Sequence, residues 1–162
     1  MRRILTVIAV LVLTGVVGVD AQAAPLCRTV AGRFVVDVTT VDCASPVGMC
    51  TRGAITGAKP LNGTTSAVLT ATAAGAGMPG VAPSMLSYTS TWQLTTPHGT
   101  AVFSDIGIFD TAGGRTTSIS TLVSGTGRLA GATGVVYLNG TGTTHLDAEI
   151  RGQICLSGAG DA

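Results

Sequence analysis

Apolar and polar residues alternate one by one along much of this chain, and a period of two restricts it to β-strands more than any other feature does. Between Met85 and Thr96, Leu86, Tyr88, Trp92 and Leu94 take one side, while Ser87, Thr89, Thr91, Gln93 and Thr95 take the other. Between His145 and Leu156, Leu146, Ala148, Ile150, Ile154 and Leu156 oppose His145, Asp147, Glu149, Arg151 and Gln153. Successive side chains of a strand point to opposite faces, so each segment has one dry and one wet face. Threonine and glycine are abundant and helical periodicity is missing after the first two dozen residues, which is strand composition with glycine punctuation.

Eight strands follow from this pattern: Gly32–Val41, Cys50–Gly57, Gly63–Ala73, Met85–Thr96, Thr100–Asp110, Thr116–Ser124, Gly134–Gly142 and His145–Leu156. Asn62-Gly63 predicts a type I′ hairpin turn, whose two central residues need positive φ. Pro97-His98-Gly99 and Thr111-Ala112-Gly113-Gly114 predict two more turns. Ala74–Pro83, rich in Gly, Ala and Pro, reads as a loop within one domain rather than a linker. Asn139-Gly140 is either a turn or a glycine bulge inside the seventh strand. Antiparallel strands with short turns and one buried face suit either a sandwich or a closed barrel.

The exception to strand composition is the beginning. Met1 is followed by Arg2 and Arg3, then a mostly apolar run from Ile4 to Val19 and the small-residue pattern Ala21-Gln22-Ala23. This order predicts a secretory signal peptide, residues 1–23, leaving a single domain of residues 24–162 with no stable insertion in the membrane. The apolar run is shorter than the ~20 residues that span a bilayer. A secreted, extracytoplasmic location also makes sense of the cysteines. All four, Cys27, Cys43, Cys50 and Cys155, follow the signal, and an even number in an exported chain reads as disulfides. Spacing alone does not choose among the three pairings. Cys43 and Cys50 flank a turn-rich hexapeptide that closes easily, which leaves Cys27 for Cys155 and draws the two ends of the domain together. Zinc is the weaker alternative, because no C-x-x-C pair occurs and neither histidine is near a cysteine in sequence.

Beyond the signal, seven basic and seven acidic side chains remain, with one lysine and no basic stripe. Such a chain lacks the clustered charge that nucleic acid or anionic lipid requires. No resident cofactor or metal is expected.

The segment Gly125-Thr-Gly-Arg-Leu-Ala-Gly-Ala-Thr-Gly134 resembles the G-x-G-x-F-x-x-A-x-G signature of the allene oxide cyclase and dirigent-like β-barrels. The strand, Gly-Gly turn and strand before it, Thr100 to Val123, are similar to that family too, and the likeness extends over roughly Trp92 to Leu156. It implies an all-β fold, a single eight-stranded antiparallel β-barrel, in which Leu129 takes a position often aromatic in the family and plugs one end. Plant cyclases of the family isomerise a reactive fatty-acid epoxide, dirigent proteins steer radical coupling, and some bacterial relatives shape polyketide cyclisation. The signature itself marks the fold, so no catalytic residue carries across.

The residues alone nominate few groups for chemistry. Tyr88 and Trp92 share the apolar face of their strand and with Phe103 line a cavity if the barrel is hollow, or form its core if it is filled. Asp105 alternates with Phe103, Gly107 and Phe109, against Val102, Ile106 and Ile108 on the other face. Either face serves as the core, and the expense of burying an unpaired carboxylate favours placing Asp105 outside. Turned inward, it is the one acid able to act as an acid, a base or a ligand anchor. His145, Asp147 and Glu149 alternate on a polar face, where strand spacing of ~7 Å is too wide for metal ligation from one strand alone. No G-x-S-x-G elbow is present for a serine hydrolase. The expectation is therefore a secreted barrel that binds a small lipophilic molecule, with binding placed ahead of catalysis and with a substrate-shaping cyclase or isomerase and a non-catalytic interaction protein as alternatives.

Overall fold

A computed structural model describes residues 25–75 and 81–157. The proposed signal peptide and the bond after Ala23 lie outside the described residues. The chain forms eight strands: β1 (Leu26–Thr39), β2 (Cys50–Thr56), β3 (Gly63–Ala74), β4 (Met85–Thr96), β5 (Gly99–Asp110), β6 (Arg115–Gly125), β7 (Thr133–Thr141) and β8 (His145–Leu156). Each pairs antiparallel with the next, and β8 pairs back onto β1. The sheet is therefore a closed barrel, and the sandwich is excluded. Closure leaves no unpaired sheet edge.

Both disulfides form as the sequence suggests. Cys27 and Cys155 are register partners in the β1–β8 ladder and are bonded across the seam that closes the barrel. Cys43 and Cys50 close the loop between β1 and β2. Two disulfides in a chain of this size suit an oxidising compartment. The barrel has two distinct ends. At the lower end lie the start of β1, the end of β8 and the connections β2–β3, β4–β5 and β6–β7; at the upper end lie the other four connections.

Three local expectations are corrected. β1 begins at Leu26 rather than Gly32, because main-chain pairing with β8 runs on to Leu26–Leu156 where the side chains no longer alternate. Asn62-Gly63 is not a two-residue turn. Residues 57–62 form the connection, the Asn62 Oδ1 accepts a hydrogen bond from the Ala58 amide at 2.7 Å, and Gly63 starts β3 opposite Ile55. Asn139-Gly140 is neither turn nor bulge: both pair in regular register with β6 and β8, and Gly140 lets the backbone approach Ala148, whose Cβ would lie 2.5 Å from any Cβ added there.

The glycine-rich segment after β6 closes the lower end. A single 3-10 turn, Gly127–Leu129, folds under the barrel and inserts Leu129, 1% exposed, into the core. Gly127 takes φ +57° against the main chain of His98, and the Arg128 amide donates to the His98 carbonyl at 2.9 Å. Leu61 enters the core from the β2–β3 connection and is fully buried.

Candidate binding cavity

Alternation along β4, β5 and β6 determines what the barrel encloses. Phe103, Asp105 and Gly107 point inward, and Ile106, 57% exposed, points out. The expectation that Asp105 stays outside is overturned. Its carboxylate is buried, at 6% exposure, because it is not unpaired: Ser120 Oγ donates to Oδ1 at 2.6 Å and Ser90 Oγ donates to Oδ2 at 3.1 Å. Ser120 Oγ in turn accepts from Trp92 Nε1 at 3.2 Å, so the indole, the serine and the carboxylate form one chain of hydrogen bonds across three strands. Charge-assisted donors of this kind offset much of the desolvation that an isolated carboxylate would suffer. They do not offset all of it, since burial still raises the Asp105 pKa above the ordinary carboxylate value against the pull of the surrounding serine hydroxyls.

Trp92 divides the interior. Its ring stacks on Phe103 with centroids 3.9 Å apart and planes 5° apart, and it meets the edge of Phe34 at 5.8 Å. Below this aromatic layer the barrel is filled, by Val30, Leu94, Leu122, Val136, Ile150 and Ile154 with the two plugs, Leu61 and Leu129. Above it lies a cavity of ≈ 160 Å³ that opens at the upper end. Its wall is apolar over most of its extent, formed by Phe34, Val36, Leu69, Leu86, Phe109 and Leu146, with Trp92 as the floor. Thr72, Thr111 and Thr143 stand at the mouth.

One strip of the wall is polar. Asp105, Ser90, Tyr88 and Thr116 lie together where β4, β5 and β6 run side by side. The Tyr88 hydroxyl is 3.3 Å from Thr116 Oγ1, and burial, aided by the Asp105 charge, holds its pKa above the usual phenol value. Tyr88 owes its position to Gly107, the residue opposite: a Cβ on Gly107 would sit 2.5 Å from both Cζ and the hydroxyl oxygen of Tyr88. Ser118 Oγ, beside this group on β6, is buried with no hydrogen-bond partner. The strip offers a carboxyl able to accept or, when protonated, donate, together with a phenol, in an otherwise apolar recess. That suits holding one polar group of a largely apolar molecule.

Of the three aromatic residues nominated for a cavity, Tyr88 and Trp92 line it. Phe103 does not; it is fully buried beneath Trp92 and supports the floor. Ser90, Thr116 and Ser120 escaped the reading of the sequence. Ser90 interrupts the apolar face of β4, which was a visible signal. On β6, Thr116, Ser118 and Ser120 face inward while Ile119 and Val123 face out, so polarity alone points the wrong way there. The groups of the polar row on β8 have separate partners: His145 Nδ1 lies 2.6 Å from Asp37 Oδ1, Asp147 pairs with Arg33, and Glu149 pairs with Arg151. Tyr137 is exposed on the outer wall. No family of known proteins, curated relative or solved structure matches the chain.

Proposed function

We propose that this chain is exported and that its barrel binds a small lipophilic molecule, held by its apolar part in the upper cavity and by one polar group at Asp105. The observation that carries this reading is an open, mostly apolar recess with a single polar strip. The volume limits what enters. A recess of ≈ 160 Å³ is close to the ~150 Å³ cavity known to take benzene, and smaller than the ~300–1,000 Å³ that encloses a drug-sized ligand. The buried portion is therefore one ring or a short branched chain, and the rest of a larger ligand lies at the mouth among the threonines. The two disulfides and the basic, apolar, small-residue order of the first 23 residues support export.

A second reading rests on the pairing of Asp105 with Tyr88. Two groups whose pKa values are both raised, facing one recess, suit a cyclase or isomerase that shapes its substrate and moves one proton. The resemblance of residues 125–134 to the allene oxide cyclase and dirigent-like signature supports either reading equally.

Native mass spectrometry of protein purified without detergent from its natural host tests the proposal. A bound apolar small molecule that leaves on denaturation is expected. Recovery of that molecule together with its isomer selects the enzyme. A protein that carries no adduct and fails to take up an apolar probe such as N-phenyl-1-naphthylamine contradicts both.

A further inference from the structure

The near-neutral charge of the chain hides an uneven distribution. Seven cationic side chains follow the signal segment, and four of them have an acidic neighbour. Arg33 pairs with Asp147 and Arg151 with Glu149. Arg52 lies opposite Asp37 in the β1–β2 ladder, and Arg115 lies opposite Asp110 in the β5–β6 ladder. The remaining three, Arg28, Lys59 and Arg128, come from separate parts of the sequence and line the same cleft at the lower end of the barrel, with His98 beside them. Among the described residues no carboxylate lines that cleft and none of the three is in an ion pair. Gathering like charges without counter-charge is unfavourable unless something negative is bound.

The elements that carry these cations are braced. Arg28 follows Cys27, which is bonded to Cys155. Lys59 sits between the buried Ala58 and Leu61, in a connection tied by Asn62. Arg128 lies in the 3-10 turn anchored by Leu129 and by its own amide on His98. The cleft measures ≈ 540 Å³, and the filled layers of the core separate it from the upper cavity. Leu26, Pro60, Pro97 and Leu156 give it an apolar flank.

We propose that this cleft is a second binding site, independent of the upper cavity, for a small molecule bearing a multiply charged oxyanion of the phosphate type. Three permanent cations match two or more negative charges, and Arg28 and Arg128 supply the planar donor pairs that suit tetrahedral oxyanions. The apolar flank takes the organic remainder of such a molecule.

The test uses pyrophosphate as the probe, titrated into the purified protein and followed by amide chemical shifts, with sodium chloride of equal ionic strength as the reference. Saturable shifts are expected near Arg28, Lys59, His98 and Arg128 together, stronger with pyrophosphate than with acetate. Arg28→Gln and Arg128→Gln should each weaken binding about tenfold, the loss of one charge-assisted contact. Arg151→Gln, on the outer wall, should leave it unchanged. These side chains are exposed, and an unaltered dispersed spectrum shows that each variant folds. Shifts that follow ionic strength without saturating, or that survive removal of both arginines, would overturn the proposal.

Discussion

Below Trp92 the barrel interior is solid, and above it the same eight strands enclose a recess. The difference lies in the size of inward side chains. Going down, the strands contribute Leu94, Phe103, Leu122, Ile150 and Ile154, and two connections each insert a leucine, Leu61 and Leu129. Going up, large side chains such as Phe34, Leu86, Phe109 and Leu146 form the wall, but Ser90, Gly107, Thr116, Ser118, Gly140 and Ala148 are interspersed among the inward positions, and the connections offer threonine and glycine to the mouth. A closed eight-stranded barrel is just wide enough for side chains to fill. Several small inward residues at one level are therefore sufficient to hollow it. Close packing is concentrated in one half and open space in the other.

The sharpest test of this division concerns the two disulfides, one at each end. Cys27–Cys155 spans 128 residues of sequence and Cys43–Cys50 spans 7. Chain-entropy arguments assign about 5 kcal/mol to the first and about 2 kcal/mol to the second. Replacing Cys27 and Cys155 by serine should thus lower the unfolding free energy far more than replacing Cys43 and Cys50, measured by guanidinium denaturation. Equal losses would break the comparison.

Next comes the core itself. Trp92→Ala removes the stack on Phe103, the edge contact with Phe34 and the hydrogen bond to Ser120, and should destabilise by about 3–5 kcal/mol. Leu86→Ala, in the upper wall, should destabilise by only about 1 kcal/mol, because that side chain is half-buried and borders the open recess. The same denaturation curves read both.

Asp105 gives a smaller effect that depends on pH. Its folded-state pKa is raised above the reference of 3.8, so the folded protein binds more protons than the unfolded chain in the interval between the two values. Stability from this group is present below pH 3.8 and is lost as pH rises through the folded value. Asp105→Asn removes that titration while retaining an acceptor for Ser120. The variant should gain on the wild type as pH goes from 4 to 8, and a constant difference would show that the carboxyl is not buried as described. Smallest of all, Ile106→Thr on the outer wall should change stability by less than about 0.5 kcal/mol.

Much of the architecture was legible because strand faces follow a period of two. The faces of β4 and β8 and the count of eight strands come directly from alternation, whereas the spacing of the cysteines left three pairings open and the ease of closing a short loop only favoured the one that forms. Other features were hidden for physical reasons. The first six residues of β1 pair through the main chain, which leaves no trace in side-chain pattern. The orientation of β5 and β6 was ambiguous because the molecule places a carboxylate and two serines inside, and Ile106 and Ile119 outside. A rule that prices a buried acid as unpaired fails when the two flanking strands set Ser90 and Ser120 directly opposite it in register, with Trp92 bonded to Ser120 in turn. Hollowness was equally invisible, since it depends on which small residues share a level.

The most direct measurement is a crystal structure of the protein pressurised with xenon. Apolar cavities of this size stay dry and take up xenon. A xenon site is expected above Trp92, among Phe34, Leu69, Leu86 and Leu146, and none between Trp92 and Leu129. An upper half without xenon, with side chains closed over the floor, would contradict it.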